Sequence, residues 1–312
     1  MLSPERLRAL DLLILDLNRV SADVILPLFR AEHGLEDKGG DAGFDPVTMA
    51  DRGAEAAIRR RLAEVFPEHG VIGEEYGEDR PEQEFVWVLD PIDGTRAFIA
   101  GLPVWTTLIS LRWRGEPVLS SIGQPYLEEV FVGSPAGSRL VRGGESRPLR
   151  VRSCFGLSEA TIASTDPAAY FETDERAAWE KVRAAARLTR LGCDAYAYAM
   201  VAAGFIDLVV ESRACKCWDI EAAVPLLAGA GGVVTDWNGQ PIGRKGGQIA
   251  IAGDRSCLQE ALPFLEPAAD SSLFGSDNRF PLVGTGSSGS VPHGLPGRRS
   301  FPRTGGGSGR SP

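Results

Sequence analysis

Apolar residues at the start of the chain recur with helical spacing. Leu7, Leu10, Leu13, Ile14, Leu17 and Val20 fall three and four apart, which predicts an amphipathic helix over roughly the first 30 residues. A polar, glycine-rich stretch, EDKGGDAGFDP, then breaks the pattern and reads as a mobile loop. Helical spacing resumes with Ile58, Leu62, Val65 and Phe66. Thr48 and Asp51 form an S/T-x-x-D capping box ahead of it, and Pro67 and Gly70 end it.

Continuous apolar runs follow. Val71 and Ile72 predict a short strand, and FVWVLD at 85–90 a buried one that stops abruptly at PIDGT. Further strand-like stretches at 104–113, 117–123 and 128–132, with Gly and Pro between them, predict a largely antiparallel sheet. The second half alternates instead. Strands are predicted at 161–165, 205–211, 233–236 and 249–253, and helices at 174–187, 194–203 and 219–230. This is an α/β pattern. A boundary near 150 divides an α+β half (1–150) from an α/β half (151–266). From 267 the composition turns to Ser, Gly, Pro and Arg, so 267–312 is predicted to be a disordered tail. There is no internal repeat.

Composition narrows the functional classes. Charged residues are 24% and apolar residues 43%, which suits a soluble globular protein. Cys154, Cys193, Cys215, Cys217 and Cys257 show no framework spacing and read as reduced thiols of a cytoplasmic protein. Charges throughout the N-terminal segment argue against a signal peptide, and no apolar run is long enough to span a membrane. A net charge of −9 argues against nucleic-acid binding. An anionic substrate would then need bound divalent cations to reverse the local sign.

The candidate chemistry begins at LDPIDGT, 89–95. A buried strand delivers Asp90 to a turn that also carries Asp93. Two carboxylates so close repel each other unless a cation sits between them. Hard oxygen donors without His suit magnesium rather than zinc. Gly94 permits close backbone approach, so the Gly94 and Thr95 amides could face a phosphate. Taken alone, an Asx-turn at a strand end explains the motif equally well. Glu74 and Glu75 in GEEYG could be a solvated acidic loop, and Asp219 after Trp218 a helix N-cap. The set weighs more than any member, because all fall at strand ends or helix starts, where α/β active sites gather. His33, His69 and His293 are scattered and read as structural or surface residues. The Cys215-x-Cys217 pair, lacking a second ligand pair, is a weak zinc signal.

DPIDGT, with GEE and DPVTMAD upstream and WDIEAAVPLLAGAGG downstream, resembles the inositol monophosphatase superfamily. The four motifs stand in that family's order, and the resemblance covers roughly residues 5–265. It implies a layered α/β/α/β/α sandwich of the inositol monophosphatase/fructose-bisphosphatase type, a phosphoric monoester hydrolase activity, and a homodimer. It also implies two to three Mg2+ per site. Glu74, Asp90 and the Ile92 carbonyl would hold one cation, and Asp90, Asp93 and Asp219 a second. Glu74 would help with a third, and Thr95 with Asp51 would orient the attacking water.

Arg96-Ala97, the GFDPVT loop, the LPVW run and the CDAYAY stretch resemble the histidinol-phosphate phosphatase branch. Histidinol phosphate carries an ammonium and an imidazole, which carboxylates at Asp194 and Glu211 would pair with. By themselves Glu211 reads equally as an exposed strand end and Asp194 as a helix N-cap, and Arg190 would buttress Asp194, approach the phosphate or simply be a surface arginine. ESRACKCWD is one residue longer than the family pattern, and Lys38 receives no role. The alternatives are an inositol-1-monophosphatase, a 3′-phosphoadenosine 5′-phosphate phosphatase, a broad sugar-phosphate phosphatase and, from a different class, a non-catalytic regulatory homologue.

Overall fold

The structure, a computed structural model, describes residues 3–31, 35–37, 46–270 and 279–280. Five layers build it. The outer pair of helices, Pro4–Ile25 and Met49–Val65, covers one face of an eight-stranded sheet. Leu10, Ile14, Leu17, Ile58 and Leu62 interlock there with Trp87, Leu89, Ile109 and Leu119. From one edge, the strands run Glu145–Pro148, Gly137–Arg142, Glu129–Ser134, Glu116–Gln124, Thr106–Trp113, Phe85–Asp93, Gly70–Gly73 and Gly77–Asp79. Neighbours pair antiparallel except Gly70–Gly73 with Phe85–Asp93, which are parallel.

The sheet's other face presents Leu108, Ile122, Phe131 and Leu140 to the helices Asp194–Ala202 and Ala223–Ala230. Their small and aliphatic side chains also meet Ala163, Val209, Ile249 and Ile251 of a five-stranded sheet. That sheet runs Leu188–Leu191, Thr161–Ser164, Leu208–Glu211, Ile249–Ala252 and Val233–Thr235. Alternate residues, Ile162, Leu208, Val210 and Ala250, point to its far side, against Trp179, Val182, Leu258 and Leu265. The two-residue periodicity of strands thus feeds a different core on each side. The layered α/β/α/β/α architecture is the one expected.

Three local readings change. The segment 219–230 is two helices, Cys217–Ile220 and Ala223–Ala230, not one. Pro225 has no N–H to give the Glu221 carbonyl, which Val224 N–H takes instead at 3.0 Å. At the two ends of the stretch read as a mobile loop, Leu35–Asp37 pairs antiparallel with Pro46–Thr48. Lys38, His33, His293 and the Thr48 side chain of the capping box lie outside the described residues. The tail expected over 267–312 is corrected where it is described: Phe280 is buried in the central core, and Arg279 bonds Asp236 at 2.6 Å. Residues 281–312 lie outside the described residues. No described helix is long and apolar enough to cross a membrane.

Candidate functional site

Asp90 and Asp93 lie three apart on one strand, a spacing that would normally send their side chains to opposite faces. The register against Thr106–Trp113 slips between them. This bulge turns both carboxylates into one cavity of about 200 Å³. Gly94 follows with φ of 82°, and a Cβ there would stand 2.9 Å from Asp194 Oδ2. Only glycine fits both constraints. Thr95 opens a short helix, Thr95–Ile99, and its Oγ1 donates to the Ile92 carbonyl at 3.1 Å.

Glu74 enters from the neighbouring parallel strand, where its N–H donates to Leu89 O at 3.2 Å. Its loop is held by Glu55, a fully buried carboxylate. Glu55 accepts from Glu75 N at 2.8 Å, Tyr76 N at 3.2 Å and Arg59 Nε at 2.7 Å. Gly73 makes room, since a Cβ there would lie 2.0 Å from Glu55 Oε1. Asp219 is not the N-cap of the helix Cys217–Ile220, a position Lys216 holds; it is the third residue, and its Oδ2 reaches back to accept from Lys216 N at 2.7 Å. This capping contact and the cavity-lining position therefore coexist. Asp51 is buried one turn before Glu55, and its carboxylate lies within 4.8 Å of those of Glu74 and Glu75. It does not line the cavity itself.

This density of acids shifts their protonation. Burial, then Glu74, Asp93, Asp51 and Asp219, pushes Asp90 well above the usual carboxylate range. Burial and then Asp194 do the same to Asp93, against the N–H of Ala195, which donates to Asp93 Oδ2 at 2.7 Å. Asp219 is pushed up to about 7, by burial first and Glu74 next. Asp90 Oδ1 is buried with no hydrogen-bond partner among the described residues. A buried, unpartnered carboxylate oxygen among other carboxylates asks for a cation. The converging side chains offer oxygen, and no described lining residue is a histidine. The donor set fits magnesium.

Asp194, Glu211, Thr165 and Tyr198 also line the cavity. Glu211 is 4% exposed, not at a solvated strand end. It accepts from Thr165 N at 2.9 Å, Thr165 Oγ1 at 3.0 Å and Ser164 Oγ at 3.3 Å. Burial is the main force pushing it up to about 8. Among the described residues no Lys or Arg forms an ion pair with it. Asp194 is pushed up to about 6, by burial against the pull of Thr165 and Arg96. It is not an N-cap: Cys193 holds that position, and Asp194 has a positive φ of 43°.

Arg190 is corrected. It is exposed on the edge strand Leu188–Leu191 and does not line the cavity. Alternation along an edge strand turns it away. Among the described residues the cation that lines the cavity is Arg96, stacked on Tyr170 at 4.7 Å and 3.7 Å from Asp166. Sequence reasoning passed over Thr165, Tyr170 and Glu55. Only Glu55 left a signal: it lies on the Ile58–Leu62 face, where a charge is out of place unless bonded.

A bulged strand that gathers carboxylates into a cavity between two sheets defines a layered α/β protein built for hard divalent cations. The chain belongs to the inositol monophosphatase family, a family of phosphatases, which it matches over residues 9–265. The bifunctional phosphatase IMPL2, chloroplastic, of Arabidopsis thaliana is 41% identical over 256 residues, 79% of this chain and 72% of that protein. A histidinol-phosphatase of Chlorobaculum parvum is 32% identical over 195 residues, 62% of this chain and 74% of that protein. An inositol monophosphatase from Zymomonas mobilis, a solved structure, superposes with a TM-score of 0.71 at 39% identity, covering 81% of this chain and 96% of that one.

Proposed function

We propose that this phosphatase is magnesium-dependent and hydrolyses L-histidinol phosphate to L-histidinol. The observation that carries the substrate is the pair Asp194 and Glu211. Both are carboxylates that line the cavity with Asp93, and Glu211 has no protein cation beside it among the described residues. An uncharged polyol would bring the buried Glu211 no counter-charge, whereas an ammonium leaving group pairs with it and with the partly buried Asp194. The histidinol-phosphatase among the relatives supports the same reading.

Glu74, Asp90, Asp93, Asp219 and the Ile92 carbonyl would hold the metal. When bound, magnesium supplies charge neutralisation for the transferring phosphoryl group and acidifies water. Gly94 and Thr95 contact the phosphate, placed by the left-handed turn. Thr95, aimed by its bond to Ile92 O, orients the attacking water; Asp51, which does not line the cavity, acts through the neighbouring Glu74 carboxylate. Glu211 is held by three donors before substrate arrives, so little ordering is left for the binding step. The arriving ammonium lowers the Glu211 pKa and ionises it.

Phosphate release from histidinol phosphate, inositol 1-phosphate and 3′-phosphoadenosine 5′-phosphate, each with magnesium and with chelator, tests the proposal. The expected result is a clear preference for histidinol phosphate that chelator abolishes. Turnover of inositol 1-phosphate without turnover of histidinol phosphate overturns the substrate, and undiminished turnover in chelator overturns the metal.

A further inference from the structure

The composition of the segment after the last helix is polar, yet it places one aromatic ring against two guanidinium groups of the main body. Phe280 is 2% exposed. Its N–H donates to Ile242 O at 3.1 Å, and Arg279 forms an antiparallel bridge with Gly243. Arg279 Nη1 also bonds Asp236 Oδ2 at 2.6 Å and Pro241 O at 3.0 Å. Two guanidinium groups lie over the Phe280 ring: Arg244 at 5.1 Å and Arg112 at 5.6 Å.

Arg112 leads from there to the site. Its Nε and Nη2 donate to Glu221 Oε2 at 2.8 and 2.6 Å, and Ser110 Oγ donates to Glu221 Oε1 at 3.0 Å. Arg112 Nη2 also donates to the Arg244 carbonyl at 3.2 Å. Glu221 is fully buried, and its N–H closes the helix that carries Asp219 by donating to Cys217 O at 2.9 Å. The helix has only four residues, so it cannot hold its own shape and depends on what packs against it. A buried ion pair of this kind offsets its desolvation only while its geometry is kept and every donor is met. The Phe280 ring packs against the Arg112 guanidinium at 5.6 Å and attracts this cation of the pair.

The geometry points to Phe280 as a positioning residue for Asp219: the C-terminal Arg279–Phe280 anchor fixes the Arg112–Glu221 pair and, through it, the short helix that presents the Asp219 carboxylate to the cation. This rests on the reading of Asp219 as a metal ligand. Outer partners of metal ligands are worth about 10- to 100-fold in metal affinity. Phe280 acts one step further out, so the low end, about ten-fold, is expected.

The test uses the full chain and magnesium alone as probe. Melting temperature is followed against magnesium chloride, which yields an apparent affinity by linkage. The half-activating magnesium concentration and kcat at saturating magnesium are measured beside it. Phe280→Leu removes the ring but keeps more of the buried apolar volume than Phe280→Ala, so it still folds if Phe280→Ala does not. Phe280→Leu should weaken magnesium binding about ten-fold with kcat at saturation preserved, and Phe280→Tyr, which keeps the ring, should restore binding. Leu258→Ala, in the core on the far side of the smaller sheet, serves as a destabilised control. Magnesium affinity in Phe280→Leu equal to that of wild type, or lowered only as far as in Leu258→Ala, overturns the inference. Asp219→Asn separates the two ideas: if it leaves magnesium binding unchanged, the ligand reading fails and the anchor with it. If Asp219→Asn loses the metal while Phe280→Leu keeps it, the anchor alone fails.

Discussion

Replacing Glu211 with Gln separates recognition of the leaving group from the chemistry at phosphorus. Glu211 Oε1 takes both bonds from Thr165, and Oε2 takes the one from Ser164 Oγ. Gln can keep its oxygen on Thr165 and turn its amide group to Ser164, whose hydroxyl also accepts. The fold therefore has little to lose, and the negative charge is what disappears. Losing a charge-assisted contact with a bound ammonium costs about 1.5–3 kcal/mol. That is roughly a ten- to hundred-fold loss in kcat/KM for histidinol phosphate. A small uncharged aryl phosphate, which reaches only the metals and the Gly94–Thr95 turn, should lose less than about two-fold, within the usual scatter of a neutral surface change. The assay is steady-state phosphate release from both esters at saturating magnesium. Equal losses on the two would refute the recognition role, because damage to the nearby Asp93 and Asp219 slows every substrate alike.

Three further outcomes are expected. Asp93→Asn and Asp219→Asn should each abolish turnover while leaving far-UV circular dichroism unchanged; full activity in either variant counts against the metal set. Glu55→Gln should weaken magnesium binding about ten-fold or more, because any orientation of the amide sets its NH2 against a donor from Glu75, Tyr76 or Arg59; a wild-type magnesium titration would remove Glu55 from the site's support. His69, stacked between Phe66 and Phe85 and accepting from Trp87 Nε1 at 3.0 Å, is pushed down to about 4 by burial. Its neutral form is the folded one, so its contribution is complete above the unfolded pKa near 6.5 and is lost as pH falls through 4. The loss totals about 3 kcal/mol, read as the difference in denaturant midpoint slope between wild type and His69→Gln; identical pH dependence in the two would contradict it.

How far the sequence reached depends on range. The helices over Leu10–Leu17 and Ile58–Leu62 and the strand at 85–90 were legible because apolar period and punctuation are local properties. The acids were legible because DPIDGT, GEE and WD are contiguous motifs. The short strands Gly137–Arg142, Glu145–Pro148 and Leu188–Leu191 were not, since their exposed positions carry Arg, Ser and Glu and dilute the alternation. Arg190 was misplaced because nothing local says which face of an edge strand looks toward a cavity. Phe280 was missed because composition averages over a window, and a single ring in a polar tail disappears in the average. Its binding site, formed around Ile242 and Val224, is 38 residues or more away in the chain.

The same bonds explain how the protein tolerates so many buried acids. Asp93 Oδ2 is committed to Ala195 N, Asp219 Oδ2 to Lys216 N, and Glu211 Oε1 to Thr165 N. In each case a backbone N–H, which the fold needs satisfied in any event, offsets part of the desolvation of a carboxylate. Each bond also fixes the carboxylate plane, so the other oxygen is aimed without searching. Asp90 differs: its Oδ1 is buried without a partner, and its protonation is shifted by four other acids. It is the residue whose burial makes least sense without a cation. For Asp93 and Asp219 the proposed ligand set separates two jobs within one side chain, one oxygen for the fold and one for the metal. Asparagine at 93 or 219 can keep the first by leaving its carbonyl oxygen on the N–H. It then presents an NH2 group to the cation and loses the second. That is why those variants should fold and yet fail to turn over, and why their failure would report on the metal rather than on the fold.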